Sequence, residues 1–195
     1  MRLADGSDGY VKQQLSRIKT NLESLKPACG DCIVVTIDGP AGSGKTTLAK
    51  ELSGGLQSSR TLHMDDLYEG WDSTLTSDLT KKLEAILQGI KSESKLAFRP
   101  YNWLTNSLDD LIELPAPGYL ILEGVGAGQS AIRKLVSMGI WIEVPIEEGL
   151  ARVLKRDGPG VADHMPAFLV AQNSHFEKEG TKKSADYRLS GQATV

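Results

Sequence analysis

The chain has 195 residues, 40% of them hydrophobic and 24% charged, with a formal charge of −3. These values predict one folded domain of ordinary composition and argue against a general nucleic-acid-binding protein, because such domains are usually basic. No apolar run approaches the roughly 18 residues of a membrane-spanning helix, and the N-terminus lacks the apolar segment of a signal peptide, so we expect a cytoplasmic protein with no membrane partner.

The N-terminal part of the chain is predicted to form two helices on either side of a buried strand. Apolar residues spaced three and four apart predict a helix over residues 8–26, which Pro27 ends. Residues 32–37, CIVVTI, form an apolar run rich in β-branched side chains, which is typical of a strand buried on both faces of a parallel sheet. A glycine-rich stretch at 39–44 follows, and then a helix to about residue 57.

The middle of the chain combines two strands with a strongly amphipathic helix. Residues 60–64 are predicted to form a short strand, and leucines and isoleucines at helical spacing over 75–90 predict a helix with one apolar face. Residues 91–117, which contain three prolines and several aromatic residues, are predicted to be irregular. The apolar residues 119–122 predict the next buried strand, and a helix is predicted over 129–137.

The last part of the chain continues this alternation of strands and helices. A strand is predicted at 139–144 and a helix at 147–157, which the sequence DGPG at 157–160 breaks. A further helix near 164–179 and a short strand near 185–189 complete the pattern.

Strands that alternate with helices imply βαβ units, whose right-handed crossovers build a mostly parallel sheet. We therefore predict an α/β fold of three layers, with helices on both faces of a mostly parallel five-stranded sheet. Residues 1–30 are predicted to be an N-terminal helical extension, and residues 31–195 the domain itself.

Two cysteines, Cys29 and Cys32, have the spacing found in redox and zinc motifs. A single pair without a second Cys/His pair is weak evidence for zinc, and a thioredoxin-like motif opens a helix, whereas Cys32 opens an apolar run. We favour a structural role for both cysteines. His63, His164 and His175 show no ligand spacing, so we assign no metal to them.

A phosphate-binding loop is the most specific motif in the sequence. Residues 39–46, GPAGSGKT, match the pattern G-x-x-x-x-G-K-[ST] in full, between a predicted buried strand and a predicted helix. Its glycines let successive backbone N–H groups turn toward an anion, and the helix adds the positive end of its dipole. In such a loop Lys45 binds the β- and γ-phosphates of ATP, and Thr46 binds Mg²⁺. The nucleotide-binding candidates are Gly39, Pro40, Ala41, Gly42, Ser43, Gly44, Lys45, Thr46 and Thr47.

Acidic residues follow two of the predicted strands. Carboxylates at the carboxyl end of a parallel strand face the ligand crevice of an open α/β sheet. Asp65 is a candidate catalytic base that orients an acceptor hydroxyl and accepts its proton. The alternative is that Asp65 or Asp66 caps a helix. Glu123 is a candidate Mg²⁺ ligand, and Gly124 leaves room for the metal.

Two arginines lie on one predicted helix beside these motifs. Arg152 and Arg156 are four residues apart and therefore share a face of the 147–157 helix. The helix break at 157–160 predicts a short lid over the phosphates. An arginine there would neutralise charge on a transferring phosphoryl group, so both arginines are candidate catalytic residues beside Lys45. The alternative is that both arginines belong to an ordinary solvent-exposed helix face and have no catalytic role.

In their order along the chain, these motifs resemble the uridine kinase/phosphoribulokinase group of P-loop kinases. IDGPAGSGKTTLA resembles the group's first strand and P-loop, ILEGVGA its strand ending in Glu-Gly, and TKKSADYRLSG its Thr-Lys-x-x-Ala-Asp ending. MDDLY is similar to its Asp-x-Phe/Tyr-Tyr segment, which places Asp65 on the catalytic base. GWD places Asp72 on a residue that holds acceptor hydroxyls, and ARVLKRDG resembles the Arg-rich helix that enters the lid.

The resemblance covers roughly residues 33–190 and implies a P-loop nucleoside-triphosphate hydrolase fold with a short lid. It also implies an ATP- and Mg²⁺-dependent transfer of a phosphoryl group to a hydroxyl of a small molecule, with Glu123 on the acidic residue that is associated with the metal.

The acceptor-binding part departs from the group's pattern. Members that phosphorylate nucleosides carry a Tyr-Asp-Phe/Trp segment followed by a His and an Arg that bind the pyrimidine. Here the segment is Tyr101-Asn102-Trp103, and Asn106 and Leu108 stand near the places of the His and the Arg. The resemblance therefore supports the phosphoryl-transfer residues better than it supports uridine as the acceptor. Tyr101 and Trp103 are candidate walls of the acceptor pocket, with core packing as the alternative.

Two other functions are compatible with a P-loop. One is a regulatory nucleotide-binding NTPase without a small-molecule acceptor, although the segment nearest to the GTPase base-recognition motif, TKKS at 181–184, lacks its Asp. The other is a kinase-like scaffold without catalysis, against which the complete set of loop, acids and basic residues argues. We expect a small-molecule acceptor as the partner. The N-terminal helix has two alternatives, packing on its own sheet or on a second copy of the chain, so a homo-oligomer is an open alternative.

Overall fold

The computed structural model describes residues 6–191, with side chains from residue 13 onward. The strands of this part are β1 (Ile33–Asp38), β2 (Ser59–His63), β3 (Lys95–Phe98), β4 (Tyr101–Asn102), β5 (Ser107–Leu108), β6 (Ile112–Pro115), β7 (Tyr119–Glu123), β8 (Met138–Glu143) and β9 (Tyr187–Ser190). Its helices are α1 (Gly6–Ser24), α2 (Lys45–Ser53), α3 (Ser77–Glu93), α4 (Ile146–Asp157), α5 (Met165–Glu179) and α6 (Thr181–Ser184). None of the described helices is long and apolar enough to cross a membrane.

Five of the strands form one parallel sheet, which confirms the predicted fold class. Their order is β2-β7-β1-β8-β9, and every neighbouring pair is parallel. Strand β7 lies between β1 and β2, and its last residue, Glu123, is opposite Ile37 of β1 and His63 of β2. The carboxyl ends of these three strands therefore meet at one edge of the sheet, where ligands of such folds bind.

Helices cover both faces of the sheet. Because successive strand residues point to opposite faces, Val34 and Val35 of β1 enter two different cores. On one face, α1 packs against the sheet through Ile18 and Leu22, both fully buried. On the other face, α3 contributes a row of buried side chains at the predicted helical spacing: Leu79, Leu83, Ile86, Leu87 and Ile90. Burial of one such side chain contributes about 1.5–3 kcal/mol, so this face is what holds α3 in place.

The prediction that residues 91–117 are irregular is wrong. Strand β3 pairs with β6 and β4 pairs with β5, forming two small antiparallel pairs. Strands β4 and β5 have two residues each and β6 is largely exposed, so an alternation of apolar and polar residues cannot reveal them.

Two predicted helices differ from the structure. The predicted helix over 129–137 is a 3₁₀ turn, Ser130–Leu135, because Val136 is already extended and leads into β8. Helix α2 ends at Ser53, before the predicted end near residue 57. Gly54 and Gly55 follow it, and glycine is a poor helix former.

Cys29 and Cys32 are both free and buried. A short antiparallel bridge joins their backbones, and the Cys29 thiol donates to the carbonyl oxygen of Leu87 at 3.1 Å. Burial raises the pKa of Cys32 to about 11, which disfavours the reactive thiolate. These contacts fit the structural role that we favoured.

Candidate functional site

The P-loop is shaped by glycines at positions where a side chain cannot fit. It runs from the end of β1 to Lys45, the first residue of α2. Gly39 and Gly42 have φ angles of 146° and 74°. A Cβ atom on these residues would lie 2.1 Å from the carbonyl oxygen of Ile142 and 2.2 Å from that of Gly149, respectively. The loop is therefore pressed against β8 and α4, which fixes its path.

Lys45 is buried at the start of α2, where its ammonium group is held inside the loop. Its Nζ donates to the carbonyl oxygens of Gly39 at 2.9 Å and Pro40 at 2.7 Å. Burial lowers the pKa of Lys45, and the carboxylates of Asp38 and Glu123 oppose that shift because they favour the charged form. The site thus has a cation at the position that the motif predicts.

The other predicted P-loop residues differ in their surroundings. Ala41 and Gly42 line the adjacent cavity, and the Ala41 N–H donates to Oε1 of Gln172 at 2.9 Å. Gln172 lies on α5, is fully buried and was not predicted as a site residue. The buried Ser43 hydroxyl has no hydrogen-bond partner among the described residues, and Thr47 is exposed on α2.

Glu123 and Thr46 meet at the carboxyl end of β7. Thr46 Oγ1 donates to Glu123 Oε1 at 3.0 Å, and Nδ1 of His63 contacts the same oxygen. Burial alone would raise the pKa of Glu123, but the hydrogen bonds of His63 and Thr46 outweigh it, so this pKa lies below its usual value. The bond to Glu123 also raises the pKa of His63. His63 was not predicted here, because its role depends on the pairing of β2 with β7.

Asp38 is a third residue, after Gln172 and His63, that the sequence analysis did not single out. Its carboxylate accepts hydrogen bonds from the backbone N–H groups of Gly39 at 2.7 Å, Gly126 at 3.0 Å and Gly128 at 2.8 Å. It therefore joins the P-loop to the segment after β7. Burial raises the pKa of Asp38 to about 6, although these hydrogen bonds and the charge of Lys45 oppose the shift. The sequence pattern that could have indicated Asp38 is an acidic residue at the end of a buried strand. The same kind of pattern indicated Asp65 after β2 and Glu123 at the end of β7.

Asp65 follows β2 in a short 3₁₀ turn, Met64–Asp66, and lines the same cavity as Lys45. Asp65 is itself exposed at the surface of the cavity, but the protein around it raises its pKa by desolvation, while the charge of Lys45 opposes the shift and that of Glu123 adds to it. Trp103 fixes the turn, since its Nε1 donates to the Asp65 carbonyl oxygen at 2.9 Å. His63 precedes the turn, so neither acid of the turn takes the helix-capping position.

A cavity of about 730 Å³ opens beside the P-loop. Charged and polar residues line one part of it: Lys45, Thr46, Asp65, Glu123 and Arg156. Another part is an aromatic wall, which consists of Tyr68, Trp71, Trp103 and Phe168. The ring centroids of Trp71 lie 5.3 Å from Trp103 and 6.0 Å from Phe168, and Phe168 lies 6.5 Å from Tyr68. Because the rings pack on one another, the wall is built before any ligand binds.

The two predicted catalytic arginines have different surroundings. Arg156 lines the cavity, and Asp157 holds its guanidinium by two hydrogen bonds of 2.6 Å. Arg152 is not among the lining residues. Its Nη1 donates to the carbonyl oxygens of Gly42 at 3.2 Å and Gly191 at 2.9 Å. Both arginines lie on α4, but Arg152 contacts the P-loop and Gly191 from outside the cavity. These contacts give Arg152 a structural role and leave Arg156 as the catalytic candidate.

Two of the three predicted substrate-binding residues lie outside the lining of the cavity. Asp72 is exposed in a 3₁₀ turn, Trp71–Ser73. Tyr101 packs edge-on against Trp103 with the ring centroids 5.3 Å apart, so it supports a residue of the aromatic wall. Trp103 is the predicted acceptor-pocket residue that the structure places in the cavity.

Comparison with known families agrees with this fold and loop. A family model described as an AAA domain matches residues 35–164, well over half of the chain. The chain belongs to the AAA domain family. The matched range contains the P-loop, both candidate acids and both arginines of this AAA domain protein. No curated protein sequence matches it.

Two solved structures have the same fold as this AAA domain protein. One, described as a possible uridine kinase from Bacillus stearothermophilus, is 21% identical with a TM-score of 0.66, over 92% of this chain and 99% of that one. The other, described as a candidate fructose transport system kinase from Silicibacter sp. TM1040, is 19% identical with a TM-score of 0.62, over 89% and 98%. These similarities confirm the α/β P-loop fold and are consistent with the resemblance to uridine kinase-like P-loop kinases.

Proposed function

We propose that this AAA domain protein is an ATP- and Mg²⁺-dependent phosphotransferase that moves the γ-phosphoryl group of ATP to a hydroxyl of a small molecule, as uridine kinase-like enzymes do. The observation that carries the proposal is that Asp65 lines the same cavity as the P-loop residue Lys45. A P-loop by itself holds a nucleotide. An acid in the same cavity supplies what transfer to an alcohol needs, a group that orients the hydroxyl and takes its proton.

Asp65 is the proposed base. The acceptor oxygen attacks the γ-phosphorus, the hydroxyl proton passes to the Asp65 carboxylate, and the bond from the γ-phosphorus to the bridging oxygen breaks to release ADP. The raised pKa of Asp65 makes its carboxylate a better proton acceptor than an ordinary aspartate. The hydrogen bond from Trp103 keeps the backbone of Asp65 in place during this transfer.

Lys45 and Arg156 are the proposed stabilisers of the transferring group. Negative charge spreads over the phosphoryl oxygens as the group moves, and preorganised cations lower the energy of that state. Lys45 is fixed by the carbonyl groups of the P-loop, and Arg156 is fixed by Asp157. Both cations are therefore positioned by the protein, which limits the reorganisation needed during the reaction.

Thr46 and Glu123 are the residues that would hold Mg²⁺. Their oxygens converge to 3.0 Å, and the lowered pKa of Glu123 favours its ionised form. Mg²⁺ in phosphate sites takes one or two protein oxygens and completes its shell with phosphate and water, so this pair fits the ion. When bound, the metal neutralises charge on the β- and γ-phosphates.

The test of the proposal is ATP-dependent phosphorylation of a panel of nucleosides, sugars and other small alcohols, with the products detected by mass spectrometry. We expect at least one alcohol to gain a phosphoryl group with formation of an equal amount of ADP. The Lys45→Met variant should lose both products. ATP hydrolysis that no alcohol stimulates would contradict the proposal and indicate the regulatory NTPase instead.

A further inference from the structure

The cavity contains few positive charges, and all of them are already engaged. Of the described residues that line it, the cationic ones are Lys45 and Arg156. Lys45 is bonded to two P-loop carbonyl groups, and the charge of Arg156 is paired with Asp157. Under the proposed function both cations serve the phosphates of ATP. No further cation among the described lining residues is left to bind an anionic group on the acceptor.

Outside its charged part, the lining of the cavity is mostly carbon. The aromatic wall joins Asp65 through the hydrogen bond from Trp103, and Tyr68 uses its hydroxyl on the carbonyl oxygen of Val125 at 2.6 Å. The polar atoms of these two rings are therefore occupied, and the rings present their carbon atoms to the cavity. Met165 and Leu104 extend this apolar lining.

We infer that the acceptor is an uncharged alcohol that contains a ring, of the nucleoside or neutral-sugar type, and that phosphorylated and carboxylated acceptors are rejected. A ring offers a flat or apolar face to the aromatic wall. An anionic group there would lose its hydration, gain no cation and lie near the negative charge of Asp65. The inference rests on the proposed function, because that function is what commits Lys45 and Arg156 to ATP.

Binding of matched ligand pairs tests the inference without any phosphoryl transfer. Each pair consists of a neutral nucleoside or hexose and its monophosphate, or of a cyclic alcohol and its carboxylate. The full chain is first saturated with Mg²⁺ and a non-hydrolysable ATP analogue, so that the P-loop is occupied, and ligand binding is then followed by tryptophan fluorescence. Trp71 and Trp103 lie in the aromatic wall and report on occupation of the cavity. At least one neutral ligand should bind, and its charged counterpart should bind about tenfold more weakly or worse.

A lysine added at the edge of the cavity provides a matched pair of variants. Leu104 lines the cavity and is 95% exposed, so Leu104→Lys leaves the core intact. Leu104→Lys should strengthen binding of the charged ligand and so reduce the difference in affinity between the two members of each pair. Val170 on α5 is 68% exposed and outside the cavity lining, so Val170→Lys adds the same charge as a control and should leave the difference unchanged.

Two results would overturn the inference. One is a charged ligand that binds the unaltered protein as tightly as its neutral counterpart, and the other is a panel in which no neutral alcohol binds. Failure of the proposed function looks different. In that case the neutral ligands bind with the expected preference, but no phosphoryl group is transferred to them from ATP.

Discussion

Asp38 is buried beside the P-loop, and its carboxylate joins two loops that border the candidate site. Burial raises its pKa from the ordinary 3.8 to about 6. An acid with a higher pKa in the folded state binds its proton more tightly there than in the unfolded chain. The stabilisation that comes from this tighter proton binding is therefore fully present below the pKa of Asp38 in the unfolded chain, and it is lost as the pH rises through 6.

Replacement of Asp38 by Asn should remove this pH dependence. Relative to Asp38→Asn, the free energy of unfolding of the unaltered protein is expected to fall by up to about 3 kcal/mol between pH 4 and pH 7. Urea unfolding at several pH values measures both proteins. Parallel curves for the two would show that Asp38 does not titrate in this range.

The two arginines of α4 should respond differently to substitution. Arg156→Met removes a cation from the cavity and should lower kcat by about 100-fold with little change in stability. Arg152→Met removes the bonds to Gly42 and Gly191 and should lower the free energy of unfolding by about 1–2 kcal/mol, with the smaller effect on kcat. Steady-state kinetics and thermal unfolding separate the two roles. A larger kcat loss in the Arg152 variant would reverse the assignment.

Helix α4 supports the P-loop at a point of close contact. A Cβ atom on Gly149 would lie 2.4 Å from the carbonyl oxygen of Ala41, while a Cβ atom on Gly42 would meet Gly149. The two backbones therefore pack directly, and any side chain between them must displace the loop.

The Gly149→Ala variant tests whether this contact positions the loop. Overpacking of this kind typically destabilises by about 1–3 kcal/mol, and we expect affinity for ATP to fall by about tenfold as the P-loop moves. Gly55→Ala is the control, because its nearest neighbour, the Leu52 carbonyl oxygen, is 4.0 Å from the added Cβ atom. ATP binding measured by calorimetry should be normal in that variant. Normal binding in both would mean that the loop tolerates the shift.

Elements with a strong local pattern were predictable from the sequence, and elements defined by long-range contacts were not. The buried strand of residues 33–38 and the helix of residues 77–93 have apolar runs or stripes that local spacing reveals. Strands β4 and β5 are defined only by their pairing with each other. For the same reason, the sequence indicated Asp65, Lys45 and Glu123 but could not show that Arg152 contacts Gly191 or that His63 contacts Glu123.

Across the whole molecule, the N-terminal helix is packed as part of the sheet's core. Ile18 and Leu22 of α1 are fully buried in the same cluster as Val35 and Ile37 of β1. We propose that residues 1–30 are an N-terminal extension to the domain at 31–195, because the described part of α1 covers one face of the sheet.

Loss of this packing should destabilise the fold. Leu22→Ala is expected to lower the free energy of unfolding by about 2–5 kcal/mol, because it leaves a cavity between α1 and the sheet. Arg17 is exposed on the same helix, so Arg17→Ala should change stability by less than about 0.5 kcal/mol. Denaturant unfolding compares the two. Equal stability of both variants would show that α1 is dispensable for the domain.

Phosphoryl transfer by the Asp65→Asn variant is the direct test of Asp65 as the catalytic base. Asp65 lines the cavity, whereas its neighbour Asp66 does not, so Asp66→Asn is a control for the loss of one acidic group. With an acceptor that the unaltered protein phosphorylates, we predict that Asp65→Asn lowers kcat by about 10²–10⁴-fold while ATP still binds, because the proposed base is lost. Asp66→Asn should keep most of the activity. Near-normal turnover in the Asp65→Asn variant would show that Asp65 is not the base.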